Sequence, residues 1–267
     1  MLGNAGISTQ YTNLTIRNSQ RTLAVKAVIK KYSDNPEVAR SFADEFVTKL
    51  QSLASEKDII TVSLSGGSTP KLLFQVLAEK HAETLDWAKV HFFWGDERCV
   101  SPEHADSNYG EAYRLFLSKI NIPSGNIHRV FGENDPTDEC ERYANEISQT
   151  LSHNANDIPA FDILILGMGG DGHTASIFPH QIRFLESEQI CEVATHPDSG
   201  QLRITITGKI INASSCVYFL ITGVSKAPIL AEIIHESGRY QDYPTSHVDP
   251  DGELFFFVDQ SAATQLD

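Results

Sequence analysis

Short apolar runs alternate along this chain with longer stretches in which apolar positions recur every three or four residues. Residues 59–64 (IITVSL), 90–94 (VHFFW), 161–166 (FDILIL), 202–207 (LRITIT), 217–221 (VYFLI) and 255–258 (FFFV) predict strands, being short, apolar and rich in β-branched or aromatic side chains. Val38, Phe42, Phe46, Val47 and Leu50 share one face at helical spacing and predict a helix over 38–52. Helices are likewise predicted over 71–80, with Pro70 near the first turn where its missing N–H is tolerated, and over 107–117, 139–151 and 227–236. Strands that are apolar without interruption are covered on both faces, and strands separated by helices form a largely parallel sheet.

That pattern has a spatial consequence. In open α/β sheets ligands bind beyond the carboxyl ends of the strands. The segments 65–70, 95–98, 167–173 and 222–226 each follow a predicted strand and are rich in glycine or polar residues, so all four are expected at one rim. No linker separates two cores, and a single domain over 25–267 is expected. Residues 1–24 show no basic-then-apolar pattern of a secretory signal and are expected to be a poorly ordered extension.

Composition narrows the functional classes. Lys and Arg number 21 against 35 Asp and Glu, a formal net charge of −14. Such a surface repels phosphate backbones and disfavours nucleic-acid partners, yet a local cation cluster can still bind a small phosphate ester. No run approaches the ~18 apolar residues that span a bilayer, so no membrane partner is expected. Cys99, Cys140, Cys191 and Cys216 lack metal-site or disulfide-framework spacing, which points to a reducing, cytoplasmic setting. His91, His104, His128 and His247 show no metal-ligand spacing, and neither metal nor cofactor is expected.

Four segments carry candidate chemistry. Ser65, Gly66, Gly67, Ser68 and Thr69 can cradle a phosphate through close backbone approach, hydroxyls and the N–H groups of the next helix, or can simply be a capped strand–helix turn. Asp96, Glu97 and Arg98 follow a buried strand and read either as ligand contacts or as a surface ion pair. Residues 167–176 (GMGGDGHTAS) place four glycines within six residues, costly to order and expected where backbone wraps closely around something. His173, expected at the start of a following helix whose N-terminus disfavours the imidazolium, is a candidate general base. Arg203 and Lys226 lie on or beside strands facing the same crevice.

Taken together, SLSGGSTPKLLF, FFWGDERCVSPEHADSNYG, FDILILGMGGDGHTASIFP, ITGVSKAPIL and LFFFVDQSAA, in that order, resemble the 6-phosphogluconolactonase family of the glucosamine-6-phosphate isomerase/6-phosphogluconolactonase superfamily. The resemblance runs from about Val25 to the end. It implies a three-layer α/β/α sandwich with a modified Rossmann-like, mostly parallel sheet. It also implies hydrolysis of 6-phosphogluconolactone to 6-phosphogluconate in the oxidative pentose phosphate pathway. Catalysis is implied for His173, and substrate or phosphate contacts for the Gly66-Gly67-Ser68 loop, Arg98, Arg203 and Lys226; Ser65, Thr69 and Gly169 are expected to contact substrate beside them. Isomerases of the superfamily continue the D-G-H loop as I-A-F-N-E-P and carry D-E-Y, whereas this chain has T-A-S-I-F-P at 174–179 and D-E-R at 96–98.

Lactone chemistry needs only a positioned water and a base. His173 would take the water proton and return it to the ring oxygen, with Asp171 or Asp96 orienting the imidazole, the sequence leaving both open. Oxyanion stabilisation is left between glycine-loop N–H groups and an arginine. Two alternatives stand beside this reading: a glucosamine-6-phosphate isomerase, and a non-catalytic sugar-phosphate-binding protein. The partner expected is a small sugar phosphate, with the chain a monomer or weak homodimer.

Overall fold

A computed structural model describes residues 10–15 and 26–266. The first half of the chain contains β1 (Gln10–Thr15), β2 (Lys26–Tyr32), α1 (Asn35–Ala54), β3 (Ile60–Leu64), α2 (Ser68–Lys80), β4 (Val90–Trp94), β5 (Asp96–Arg98), α3 (Asn108–Leu115) and α4 (Pro136–Thr150). The second half contains β6 (Ile163–Leu166), β7 (Cys191–Thr195), β8 (Leu202–Ile206), α5 (Gly208–Ala213), β9 (Cys216–Ile221), α6 (Ala227–Ile234) and β10 (Glu253–Asp259). The main sheet has the order β1-β2-β10-β9-β6-β3-β4, parallel from β2 through β4, with β1 antiparallel on its edge. The expected poor order of residues 1–24 falls mostly on residues outside those described; within it, 10–15 pair with β2.

The strands are apolar on both faces because each face has its own core. Ile163 and Ile165 of β6 join Val38, Phe42, Phe46 and Leu50 of α1 and Leu73 and Leu77 of α2. Leu164 and Leu166, pointing the other way, join Tyr143 and Ile147 of α4, Ile210 and Ile211 of α5 and Leu230 and Ile233 of α6. Aromatic contacts tie helix to sheet: Phe42 meets the edges of Tyr218 and Phe257 at 5.0 and 5.1 Å between centroids. Each fully buried Phe or Leu contributes about 1.5–3 kcal/mol over its exposed state. The expected three-layer α/β/α sandwich, a single domain, is what the chain forms.

The winding of the sheet positions the site. From β3 the chain passes through α2 to the edge strand β4. Strand β6, on the other side of β3, leads back toward β9 and β10. The carboxyl ends of β3 and β6 therefore flank the reversal, where an open α/β sheet leaves a crevice.

One expected strand lies elsewhere. Residues 202–206 do form a strand, but β8 belongs to a separate antiparallel sheet of order β5-β8-β7, not to the main sheet. The reason is visible in its side chains: Ile204 and Ile206 are buried in the α4-side core, while Arg203 and Thr205 alternate onto the other face. Gly95 joins the two sheets, its N–H donating to the Leu64 carbonyl at 2.9 Å and its carbonyl accepting from Ile206 N at 2.9 Å. Strands β2, β5 and β7 and helix α5 were not anticipated, each being short or carrying several polar residues. Among the described residues no helix is long and apolar enough to cross a membrane, and the four cysteines are unpaired.

At β4 a histidine pair stands against α4. His91 Nδ1 lies 2.9 Å from His128 Nε2, and His128 Nδ1 lies 2.7 Å from Glu146, which also pairs with Arg142. Burial and then the neighbouring His128 push the His91 ionisation down. The unfolded chain therefore takes up this proton more readily than the folded one. Stability from neutral His91 is complete above the unfolded ionisation near ~6.5 and is lost as pH falls below it toward the folded one. His91→Phe is accordingly expected to show a smaller drop in urea midpoint between pH 7.5 and 5.5 than the wild type; an equal drop would place the acid sensitivity elsewhere.

Candidate active site

The loop after β6 turns back on itself through its own backbone. Gly169 N–H donates to the His173 carbonyl at 2.8 Å, and Thr174 Oγ1 donates to the Gly167 carbonyl at 3.0 Å. Gly169 is required by space: a Cβ there would stand 2.1 Å from His173 Nδ1 and 2.7 Å from Asp171 Oδ1. No α-helix begins at His173, contrary to expectation; the chain continues through a bridge between Thr174 and Ile177 into a short turn at Pro179–Leu185. The physical reason is that Ala175 sits in the left-handed region, at φ 47°, which stops a helix from starting.

What orients His173 is a carboxylate. Asp171 Oδ1 lies 2.6 Å from His173 Nδ1 and accepts the His173 backbone N–H at 3.2 Å. Burial pushes the Asp171 carboxyl up, but the hydrogen bond and charge of His173 outweigh it and hold it at about 2. An ionised Asp171 accepts, so Nδ1 carries hydrogen and Nε2 keeps its lone pair. Nε2 has no protein partner among the described residues, and the ring lines the cleft with Phe178 packed 4.7 Å away, centroid to centroid.

Facing this loop is the start of α2. Caps Asp34, Ser107 and Asp135 serve α1, α3 and α4, but α2 follows Gly67 with no side-chain cap. Gly67 takes φ +118°, which favours glycine. The uncapped N–H groups and the positive end of the helix dipole are thus left for an anion. Thr69 Oγ1 meets Thr222 Oγ1 at 2.9 Å, tying the cradle to the segment that carries Lys226. Burial lowers the Lys226 ammonium's ionisation, with Asp171 opposing. No carboxylate pairs with Lys226 among the described residues.

The small sheet supplies the arginines. Arg98 and Arg203 are directly opposed across β5 and β8. Each has a buried Nε without a partner, a cost that a bound anion would remove. Burial lowers the Arg203 ionisation, Asp96 partly restoring it. Asp96 accepts from Ser176 Oγ at 2.6 Å and lies 3.8 Å from Arg203 Nη1. Of the two acids left open by the sequence, Asp171 contacts the imidazole and Asp96 contacts Arg203.

An open cleft of about 200 Å³ joins these elements. Ser65, Gly66, Gly67, Asp96, Arg98, Gly169, His173 and Arg203 line it, as the sequence led one to expect. Asp171 stands behind the imidazole, Ser68 is exposed on the first turn of α2, and Lys226 Nζ is 4.0 Å from where a Cβ on Gly170 would be. Asn108 was missed: it lines the cleft and its Nδ2 donates to the Asp96 carbonyl at 2.9 Å. Glu97, expected either as a ligand contact or as a surface ion-pair member, is 2% exposed and is neither. Its carboxylate accepts the backbone N–H groups of Arg98, Asn108 and Tyr109 at 2.7, 2.8 and 2.7 Å, capping α3 from a distance in sequence that no local motif signals.

Among the described residues no group of three or more His, Cys, Asp or Glu is placed to hold a metal ion. A family model described as glucosamine-6-phosphate isomerases/6-phosphogluconolactonase matches residues 33–256. A 6-phosphogluconolactonase of Aggregatibacter actinomycetemcomitans is 45% identical over 207 residues, covering 77% of this chain and 87% of that protein. One of Haemophilus influenzae is 44% identical over 209 residues, 78% of this chain and 88% of that protein. The crystal structure of a 6-phosphogluconolactonase from Thermotoga maritima matches with a TM-score of 0.77 at 32% identity, over 88% of this chain and all of that one.

The Glu97 cap yields a stability prediction. Glu97→Gln turns one acceptor oxygen into an NH2 group that faces a backbone donor whichever oxygen is replaced: the Arg98 and Asn108 N–H groups at Oε1, or the Tyr109 N–H and the Ser107 hydroxyl at Oε2. Urea unfolding is expected to show a loss of about 1–3 kcal/mol, the usual cost of a buried polar group left unsatisfied; an unchanged midpoint would mean the carboxylate is not needed there.

Proposed function

The chain belongs to the glucosamine-6-phosphate isomerase/6-phosphogluconolactonase family, and we propose that it hydrolyses 6-phosphogluconolactone to 6-phosphogluconate, a pentose phosphate pathway step, with His173 as general base. The observation that carries the catalytic part is the 2.6 Å contact of His173 Nδ1 with Asp171, which leaves Nε2 available on a ring lining the cleft.

Nε2 takes a proton from water as the water oxygen attacks C1. The C1 carbonyl electrons move onto its oxygen, and the imidazolium is stabilised by ionised Asp171. As the tetrahedral intermediate collapses, the bond from C1 to the ring oxygen breaks and that oxygen takes the proton from Nε2. The new acid then loses its proton to solvent. The phosphate is held by the Ser65–Thr69 cradle with Arg203 and Lys226, so that remote binding energy places C1 beside the base. Arg98, in register with Arg203 on the cleft wall, is a further substrate contact. Asp96 acts through Ser176 and Arg203 rather than on the base.

The isomerase alternative is disfavoured by what replaces its acid. The Asn-Glu pair of isomerases falls on Ile177 and Phe178, both fully buried, with Phe178 packed between His173 and Arg203. Four unpaired thiols suit a reducing cytoplasm.

The test is hydrolysis of freshly generated lactone, followed by coupling to 6-phosphogluconate dehydrogenase and corrected for spontaneous opening. His173→Ala is expected to lose ~10²–10⁴-fold in turnover while still binding 6-phosphogluconate. Asp171→Asn should also lose turnover, because the amide no longer favours the Nδ1–H tautomer. A folded His173→Ala protein with wild-type turnover would sink the general-base assignment, and a wild type inactive on the lactone would sink the reaction.

A further inference from the structure

The loop that carries His173 has a second support, far away in sequence. Gly172 is the residue between Asp171 and His173, and its carbonyl accepts two hydrogen bonds from one residue. Thr245 donates to it through its backbone N–H at 3.0 Å and through Oγ1 at 2.9 Å, and Oγ1 also lies 3.5 Å from the His173 carbonyl. Thr245 is 2% exposed, so neither donor is shared with water. Gly172 has φ +79°, and a Cβ on it would stand 2.6 Å from the Tyr243 Cβ. The turn between acid and base is therefore clasped by Tyr243 on one side and Thr245 on the other.

The clasp also reaches α6. Tyr243 donates its hydroxyl to Glu232 Oε2 at 3.0 Å, and Glu232 also accepts from Arg239 N at 2.8 Å. Helix α6 begins directly after Lys226. One short segment thus touches both the turn that sets the His173–Asp171 pair and the helix that follows the proposed phosphate-binding lysine.

We propose that Thr245 is a positioning residue for the general base, its hydroxyl fixing the Gly172 carbonyl so that the Asp171 and His173 side chains meet. This rests on the assignment of His173 as base. Carbonyl and base belong to adjacent residues, so a rotation of the Gly172–His173 peptide would move the imidazole directly. A misplacement of ~1 Å at a reacting group can cost about 10²-fold.

The experiment compares Thr245→Val, which keeps the shape and the backbone N–H but removes the hydroxyl, with Thr245→Ser, which restores it. Thr245→Val is expected to lower kcat about 10-fold or more with little change in KM. It should also shift or broaden the downfield proton resonance of His173 Nδ1–H in the substrate-free protein, and Thr245→Ser should recover both. Wild-type kcat and an unmoved resonance in Thr245→Val would overturn the proposal, as would equal kcat losses in the two variants. Should Thr245→Val fold poorly, the resonance and kcat of Thr245→Ser against Thr245→Ala decide in the same way, equality of the two being the overturning result. The parallel His173→Ala assay separates the two ideas: activity retained there removes the base, whereas activity lost there with Thr245→Val unaffected removes only the clasp.

Discussion

Burial of the central parallel strands β3, β6 and β9 on both faces is the constraint on which the rest depends. A strand such as β6 sends Ile163 and Ile165 into one core and Leu164 and Leu166 into the other, leaving no face for a polar side chain. Chemistry is then confined to strand ends, and the reversal of winding between β3 and β6 selects which ends. The serine–glycine turn after β3 and the glycine loop after β6 meet there, Ser65 and Gly167 both lining the cleft. The small antiparallel sheet escapes the constraint: β8 alternates, so it buries Ile204 and Ile206 while presenting Arg203 to the site.

Charge follows from the same geometry. On a chain of net charge −14 an anion can be held only where cations and free N–H groups are gathered locally. Around the cleft, among the described residues, stand an uncapped helix start, two facing arginines whose buried Nε atoms lack partners, and a half-buried lysine that is in no ion pair although Asp171 acts on it electrostatically. Each of these is unfavourable while unpaired, and the phosphate of the proposed substrate would relieve it. The carboxylates nearby are committed elsewhere: Asp171 to His173, Asp96 to Ser176 and Arg203, and Glu97 to the backbone of α3.

The glycine loop shows how such a site is held without regular structure. Gly169 makes room for the imidazole, Gly172 takes a left-handed turn against Tyr243, and Thr245 donates twice to its carbonyl. Phe178 packs against both His173 and Arg203, so the two side chains share one apolar support.

From the sequence alone, the strand runs, the main helices and the placing of four polar segments at one rim could be read, because periodicity and burial on both faces are local properties. His173, the 65–69 turn and Arg203 were legible for the same reason, each following or lying on a recognisable strand. Which acid serves the imidazole was not, since Asp171 and Asp96 both lie near strand ends and only the folded loop brings one of them to 2.6 Å. Nor could the sequence place β8 in a second sheet, bury Glu97 beneath α3 or bring Thr245 to Gly172. Those contacts join residues 11 to 109 positions apart, and nothing in the local pattern encodes such a distance; packing alone decides it.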